Sequence, residues 1–351
     1  MHRPSHETLR HVRRGPLIIG VLVLTIAMIV SACGSDTTDS TTDSTSDASV
    51  PAELTPVKLQ MHFLPQIDWG GYLYGIENGI FEEHGIDLEM IPGQGSAFTM
   101  QQLNEDQAEF GSANILAYLS DRAATDSETT GVYVVTGHPQ VGMLTTISGA
   151  DSLDDLVGHT LGLIPFSAWR SVLPVVLQEN GLEPDSVQVE LVTYSIALLL
   201  EGEVDALEVY QGSNLASATA AAEEGGAEVS FLDMADFGFV GYSQTIVARN
   251  DVIESDPDLV SRMLAAIRQS YDEAFAEDDQ AVIDLVVGLY PELGSEYAVE
   301  DWAQYKTLVS ETGMFDPEVV ATSLRYVAEG MGVPHELEPE EVFTNEFVPT
   351  G

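Results

Sequence analysis

The chain has 351 residues, with 57 acidic against 12 basic side chains and a net charge of −45. That balance excludes nucleic acid as a natural partner, because neutralising a phosphate backbone needs clustered Lys and Arg. It also loads a compact body with self-repulsion that salt relieves, since the Debye length falls to roughly 3 Å at 1 M, so the composition fits saline surroundings.

In chain order, Arg3, Arg10, Arg13 and Arg14 precede a nearly all-aliphatic run from Leu17 to Val30. Small residues Ser31 and Ala32 then lead into Cys33, the single cysteine. A cationic start, a short apolar run and small residues describe an export signal rather than a spanning helix, which needs roughly 20 apolar residues. The stretch "VSAC" resembles the lipobox of bacterial lipoproteins. That resemblance implies that 1–32 are removed and that Cys33 is acylated, more than one chain being what makes attachment stable. Arg13 and Arg14 leave twin-arginine export open. Residues 33–55, rich in Ser, Thr and Asp, bury too little to fold and read as a tether. With no cysteine after position 33, no disulfide can form within the body.

The body opens with a β–α–β unit. Val57, Leu59, Met61 and Phe63 alternate as a strand, an amphipathic helix follows Gly70 and Gly71, Gly79 and Gly85 punctuate it, and "IDLEMIP" gives a second strand. Helices over Phe98–Asn104 and Ile115–Ala124 and the strand "GVYVV" continue the set. A second set starts at "SLDDLVGHTLGLIPF", where Ser152 and Asp155 have capping-box spacing. It runs through the strand Thr160–Ile164, a helix containing Pro174, "VQVELV", a helix over Ile196–Glu201, "ALEVY", a helix over Asn214–Glu224 and "EVSFL". "SQTIVAR" reads as a strand returning to the first set. A long helix follows, with Ser255 as N-cap and Pro257 in its first turn, and the remainder is helical. Alternating strands and helices predict parallel α/β sheets. Two sets, with the chain leaving the first and returning, predict lobe I from 56–146 plus 243–351 and lobe II from 147–242. The crossovers are placed near 143–148 and 240–247.

The segments "LPQIDWGGYLYGIENGIFEEHGIDLEMIPGQGS", "EFGSANILAYLS", "SLDDLVGHTLGL", "LLLEGEVDALEVY", "DFGFVGY" and "FTNEF" occur in this order. They resemble the solute-binding proteins of ABC importers, in the branch that binds thiamine-pyrimidine precursors, with riboflavin, taurine, alkanesulfonate and nitrate binders as relatives. The resemblance implies a type II periplasmic-binding-protein-like α/β fold, two lobes with a cleft and two hinge crossovers. It also implies a monomer on the outer face of the cytoplasmic membrane, which hands a small solute to a permease and its ATPase. It implies no cofactor and no reaction on this chain.

Ligands of open α/β sheets sit at the carboxyl ends of strands. The loops there carry Trp69, Phe166, Trp169 and Tyr210, whose flat faces suit stacking on a heteroaromatic ring. They also carry Gln66, Asp68, Ser96, Asn114 and Asn214, which can pair with ring nitrogens and exocyclic groups. Most have a structural alternative: Trp69 a core plug, Asp68 a helix cap, Gly70 close approach to a neighbouring strand, Phe237 packing at the return crossover. Arg170 suits an anionic solute or a solvated helix start. Tyr210 and Asn214 match an aromatic-then-Asn pattern, but Leu215 stands where the pyrimidine-precursor branch commonly has Glu.

Enzymes are the main rival class. The fungal pyrimidine synthase shares the implied fold but carries a cysteine cluster absent here. The histidines lack ligand spacing, and "GQGSAF" lacks the Lys-Ser/Thr of a P-loop.

Overall fold

The computed structural model describes residues 54–350, apart from Phe166 and Ser295. The expected signal, Cys33 and almost all of the tether lie outside the described residues.

The chain begins with strand β1 (Thr55–Gln60), a 3-10 turn (Ile67–Trp69), helices α1 (Gly70–Glu77) and α2 (Ile80–Glu83), and β2 (Ile86–Ile91). Gly79 and Gly85 interrupt this run with φ of 75° and 73°, the left-handed region that ends a helical stretch at little cost in glycine. Helix α3 (Ser96–Asn104), β3 (Phe110–Ala113), α4 (Ile115–Ala124) and β4 (Thr129–Val134) follow. Next come β5 (Val141–Thr145), β6 (Thr160–Leu163), α5 (Trp169–Glu179), β7 (Gln188–Leu191), α6 (Ile196–Leu200), β8 (Ala206–Tyr210), α7 (Leu215–Glu224) and β9 (Ser230–Asp233). The chain closes with β10 (Thr245–Arg249) and helices α8 (Asn250–Ser255), α9 (Pro257–Ala276), α10 (Asp279–Leu289), α11 (Ala298–Leu308) and α12 (Pro317–Glu329).

Two five-stranded sheets result, ordered β2-β1-β3-β10-β4 and β7-β6-β8-β5-β9. The two orders are the same pattern. In each, a parallel β–α–β core is joined by a third strand, and one antiparallel strand is wedged before the last. That antiparallel strand is β10 in the first sheet and β5 in the second. Each is the strand that continues directly from a crossover. The sheets are therefore mixed rather than parallel throughout, because a strand arriving straight from the other sheet has no helix in which to reverse.

The first crossover occupies 135–140, ahead of the expected 143–148. Val141–Thr145 is wholly buried and pairs with β8 on one side and β9 on the other, which puts it in the second sheet. A lobe boundary at 146/147 therefore falls one strand late. The return crossover occupies 238–244, with β10 starting at Thr245.

Ser152 and Asp155 form the expected reciprocal capping box on the 3-10 turn Leu153–Leu156. Ser255 does not cap the long helix. It ends α8, and the Asp256 carboxylate accepts the Leu259 N–H at 3.0 Å instead. Pro257 sits in the first turn of α9, whose buried Leu259, Val260, Met263, Leu264, Ile267 and Tyr271 form one apolar face. That face joins β1, β10 and α11 in the first core. No described helix is long and apolar enough to cross a membrane.

Candidate functional site

The carboxyl end of the first sheet carries a buried polar cluster around Asp68, which is 2% exposed. The side-chain amide of Gln244, just before β10, donates to Asp68 Oδ2. Tyr305 of α11 donates to Gln244 Oε1 at 3.2 Å, which fixes the amide with its nitrogen toward the carboxylate. Tyr271 of α9 donates to the Asp68 carbonyl at 3.0 Å and lies 3.2 Å from the Tyr305 hydroxyl. Asp68 Oδ1 is buried without a partner, as is the Tyr72 hydroxyl beside it.

Burial pushes the Asp68 carboxyl up to about 7, against the opposing pull of the Gln244 amide. Burial pushes His62 down to about 4. His62 Nε2 stands 3.7 Å from Asp68 Oδ2, so near neutral pH this is an approach of a neutral ring and not an ion pair. The other ring nitrogen of His62 meets Ser112 Oγ at 3.3 Å.

The second sheet holds a matching acid. Glu208, in the middle of β8, is fully buried. Its Oε2 accepts the Ile164 N–H at 2.9 Å and its Oε1 accepts the Tyr210 hydroxyl. Burial raises its pKa, and bonds from Ser167 and Tyr210 oppose the rise. Both carboxylate oxygens are thus occupied.

The remaining expected residues fall into small groups. Gln66 is half-buried and extended just before the 3-10 turn. Trp69 lies wholly within the first core, edge-on to Tyr290 at 5.9 Å, and its indole N–H has no partner. A side chain at Gly70 would meet the Trp302 ring at 2.8 Å, so the close approach there is to helix α11. Ser96 and Asn114 come together: Ser96 Oγ accepts the Asn114 N–H at 2.9 Å, and the Asn114 side chain caps α4 through Leu116. Tyr210 and Asn214 also meet, Asn214 Oδ1 accepting the Tyr210 N–H at 2.8 Å. Trp169 is buried in the first turn of α5, its ring 4.9 Å from that of Phe239. Phe237 is half-buried against the apolar cluster that includes Trp169, and Arg170 is exposed. Phe166 lies outside the described residues.

Helix α11 also touches the second half. Asp301 Oδ1 accepts the Ala216 N–H at 3.0 Å, in the first turn of α7, and Gln304 Oε1 accepts the Gly212 N–H at 3.3 Å. Gly212 has φ of 68°, and a Cβ there would sit 2.6 Å from Tyr305 Cα. Only glycine suits both the conformation and the approach. Burial pushes Asp301 up to about 6.

A family model described as NMT1/THI5 like matches residues 66–281. The chain belongs to the NMT1/THI5-like family. A protein of Brucella abortus named as a binding protein is 23% identical over 223 residues, covering 61% of this chain and 66% of that one. The match thus spans just under two thirds of that relative. Among solved structures, the periplasmic aliphatic sulphonate binding protein of Escherichia coli superposes with a TM-score of 0.67 at 17% identity, over 82% of this chain and 96% of that one. A Candida albicans protein described as having the generic periplasmic binding protein fold superposes with a TM-score of 0.60 at 13% identity, over 85% and 99%. This NMT1/THI5-like chain therefore has the type II periplasmic-binding-protein fold, two α/β lobes joined by two crossovers.

Sequence reading missed His62, Glu208, Gln244, Tyr271, Asp301 and Tyr305. Glu208 had a signal, a lone acid inside the apolar run "ALEVY". Gln244 had a fainter one, an amide opening a strand. The tyrosines lie on helices far away in sequence, and no local pattern marks them.

Proposed function

We propose that this protein is a lipid-anchored, extracytoplasmic solute-binding component of an ABC importer, acting as a monomer without chemical turnover. It captures a small heteroaromatic solute, such as a thiamine-pyrimidine precursor, between its lobes and delivers it to a permease driven by a cytoplasmic ATPase. Cys33 supplies the anchor. The observation that carries the reading is the pair of sheets with one shared strand order, stitched by two crossovers, with buried polar groups at the strand ends beside them. Such a body closes on a guest that binds the closed form better, and the guest shifts the population.

A second reading, binding of a sulfonate, taurine or nitrate-type anion, draws on the sulphonate-binding structural neighbours. A thermal-shift screen of pyrimidines, flavins, sulfonates and nitrate tests both readings. A guest at about 100 times its Kd adds about 2.7 kcal/mol of stability, with compaction in small-angle scattering and recovery of the guest intact by mass spectrometry. Conversion of the guest, or the absence of any stabilising solute, overturns the proposal.

A further inference from the structure

Asp68 is a receptive acid, and its surroundings say for what. One carboxylate oxygen is held by Gln244, while Oδ1 is buried with no partner and the neighbouring Tyr72 hydroxyl is likewise unpaired. An orphaned buried acceptor is costly unless something donates to it. Among the described residues no Lys or Arg donates to the Asp68 carboxylate. Arg249, Arg262, Arg268, Arg325 and Lys306 each pair with carboxylates away from the cluster. The other basic neighbour, His62, is neutral near pH 7, and it is the cluster's partly exposed edge, next to the exposed Phe63 and Leu64. An anion gains little here. The Ala216 N–H in the first turn of α7, a kind of group that would suit one, is already bonded to Asp301.

Resting on the solute-binding reading above, we infer that the guest is an organic cation, an ammonium or amidinium that donates N–H to Asp68 Oδ1, and that sulfonate-type anions are excluded. The cluster offers the cation a counter-charge, with the Tyr72, Tyr271 and Tyr305 rings packed on one another beside the carboxylate. Glu208 cannot play this part, since both of its oxygens are taken.

The charge preference carries a pH signature. Asp68 titrates near 7. Of the groups facing it, His62 is deprotonated above about 4, and Tyr72, Tyr271 and Tyr305 are raised above the usual phenol range, so Asp68 alone changes charge between pH 6 and 8. Affinity for a permanent cation therefore rises about tenfold over that interval.

The test uses three probes on one ring: benzamidinium, neutral benzamide and benzenesulfonate, titrated calorimetrically into the protein at pH 6, 7 and 8. The expected result is binding of benzamidinium, tighter by about tenfold at pH 8 than at pH 6, with at least tenfold preference over the other two. Asp68→Asn is expected to flatten the pH dependence and weaken benzamidinium at least tenfold. The wild-type pH profile stands even where that variant folds poorly. Preference for benzenesulfonate or benzamide, a flat profile, or no binding of benzamidinium overturns the cation assignment. Preference for benzenesulfonate or benzamide leaves the solute-binding reading standing, and that reading falls only if the broad screen finds no stabilising solute or finds turnover.

Discussion

The two halves each bury an acid, Asp68 in the 3-10 turn that follows β1 and Glu208 in the middle of β8, and the two acids differ in one respect. Glu208 has a donor on each oxygen. Asp68 has one donor and one bare oxygen. Burial raises both carboxyls, so depth alone does not distinguish a structural acid from a receptive one. The count of satisfied lone pairs does.

The sharpest way to break this contrast is Asp68→Asn in the unliganded protein. A carboxyl whose folded value, about 7, exceeds its ordinary 3.8 stabilises the fold fully below about pH 4 and loses that contribution as pH rises through 7. Removing the charge should therefore stabilise the protein by about 4 kcal/mol above pH 7 and by almost nothing at pH 4. His62 runs the opposite way: its folded value of about 4 lies below 6.5, so its contribution is full above pH 6.5 and lost as pH falls through 4. The Asp68 and His62 contributions thus offset one another from about pH 4 to 6.5, and the variant uncovers the rising histidine arm. Urea unfolding across pH 4–8 measures this, and parallel profiles for the two proteins would show that Asp68 is not strained.

Glu208→Ala should act in the other direction. It strands the Ile164 N–H and the Tyr210 hydroxyl in a dry interior, for a loss of about 3 kcal/mol at pH 7. A loss under 1 kcal/mol in the same unfolding assay would remove the distinction between the acids.

A smaller effect is expected from Gly212→Ala. Its Cβ collides with the Tyr305 backbone at a left-handed φ, which should prop the halves apart and weaken guest binding about tenfold, or about 1.4 kcal/mol. Small-angle scattering would show a larger unliganded radius, and an unchanged radius would contradict the contact. The least change is expected from salt. Raising NaCl from 0.1 to 1 M should raise the melting temperature by a few degrees as repulsion among the surface acids is screened, while the cation preference at Asp68 persists.

Much of the fold was legible because periodicity is local. The glycines at 79 and 85 and the Ser152–Asp155 spacing act within a few residues and match observed features, and the alternation from Val57 holds through Leu59, although β1 ends at Gln60 and Phe63 is exposed. The first crossover was misplaced because "VGMLT" is a short apolar run, whose membership in a sheet is decided by distant partners Ala206–Tyr210 and Ser230–Asp233. Ser255 was misread because the extra helix α8 ends on it. Asp68 was visible as a polar residue in a loop. What gives it its character, Gln244 176 positions away and Tyr271 203 away, exists only once the chain has folded.

The two connecting segments are sewn to each other. Val135 and Thr136 both donate to the Gln244 carbonyl, the Gln244 N–H returns to Thr136 Oγ1 at 2.8 Å, and the Gln140 N–H meets Ser243 Oγ at 2.9 Å. Mechanically this makes one flexure ribbon rather than two loose cords, clamped at both ends between sheet strands, a geometry that favours bending about one axis over twisting or sliding. Gln244 sits on that axis and also grips Asp68. Bending the ribbon would therefore move the grip, because the residue that holds the Asp68 carboxylate is part of the hinge itself.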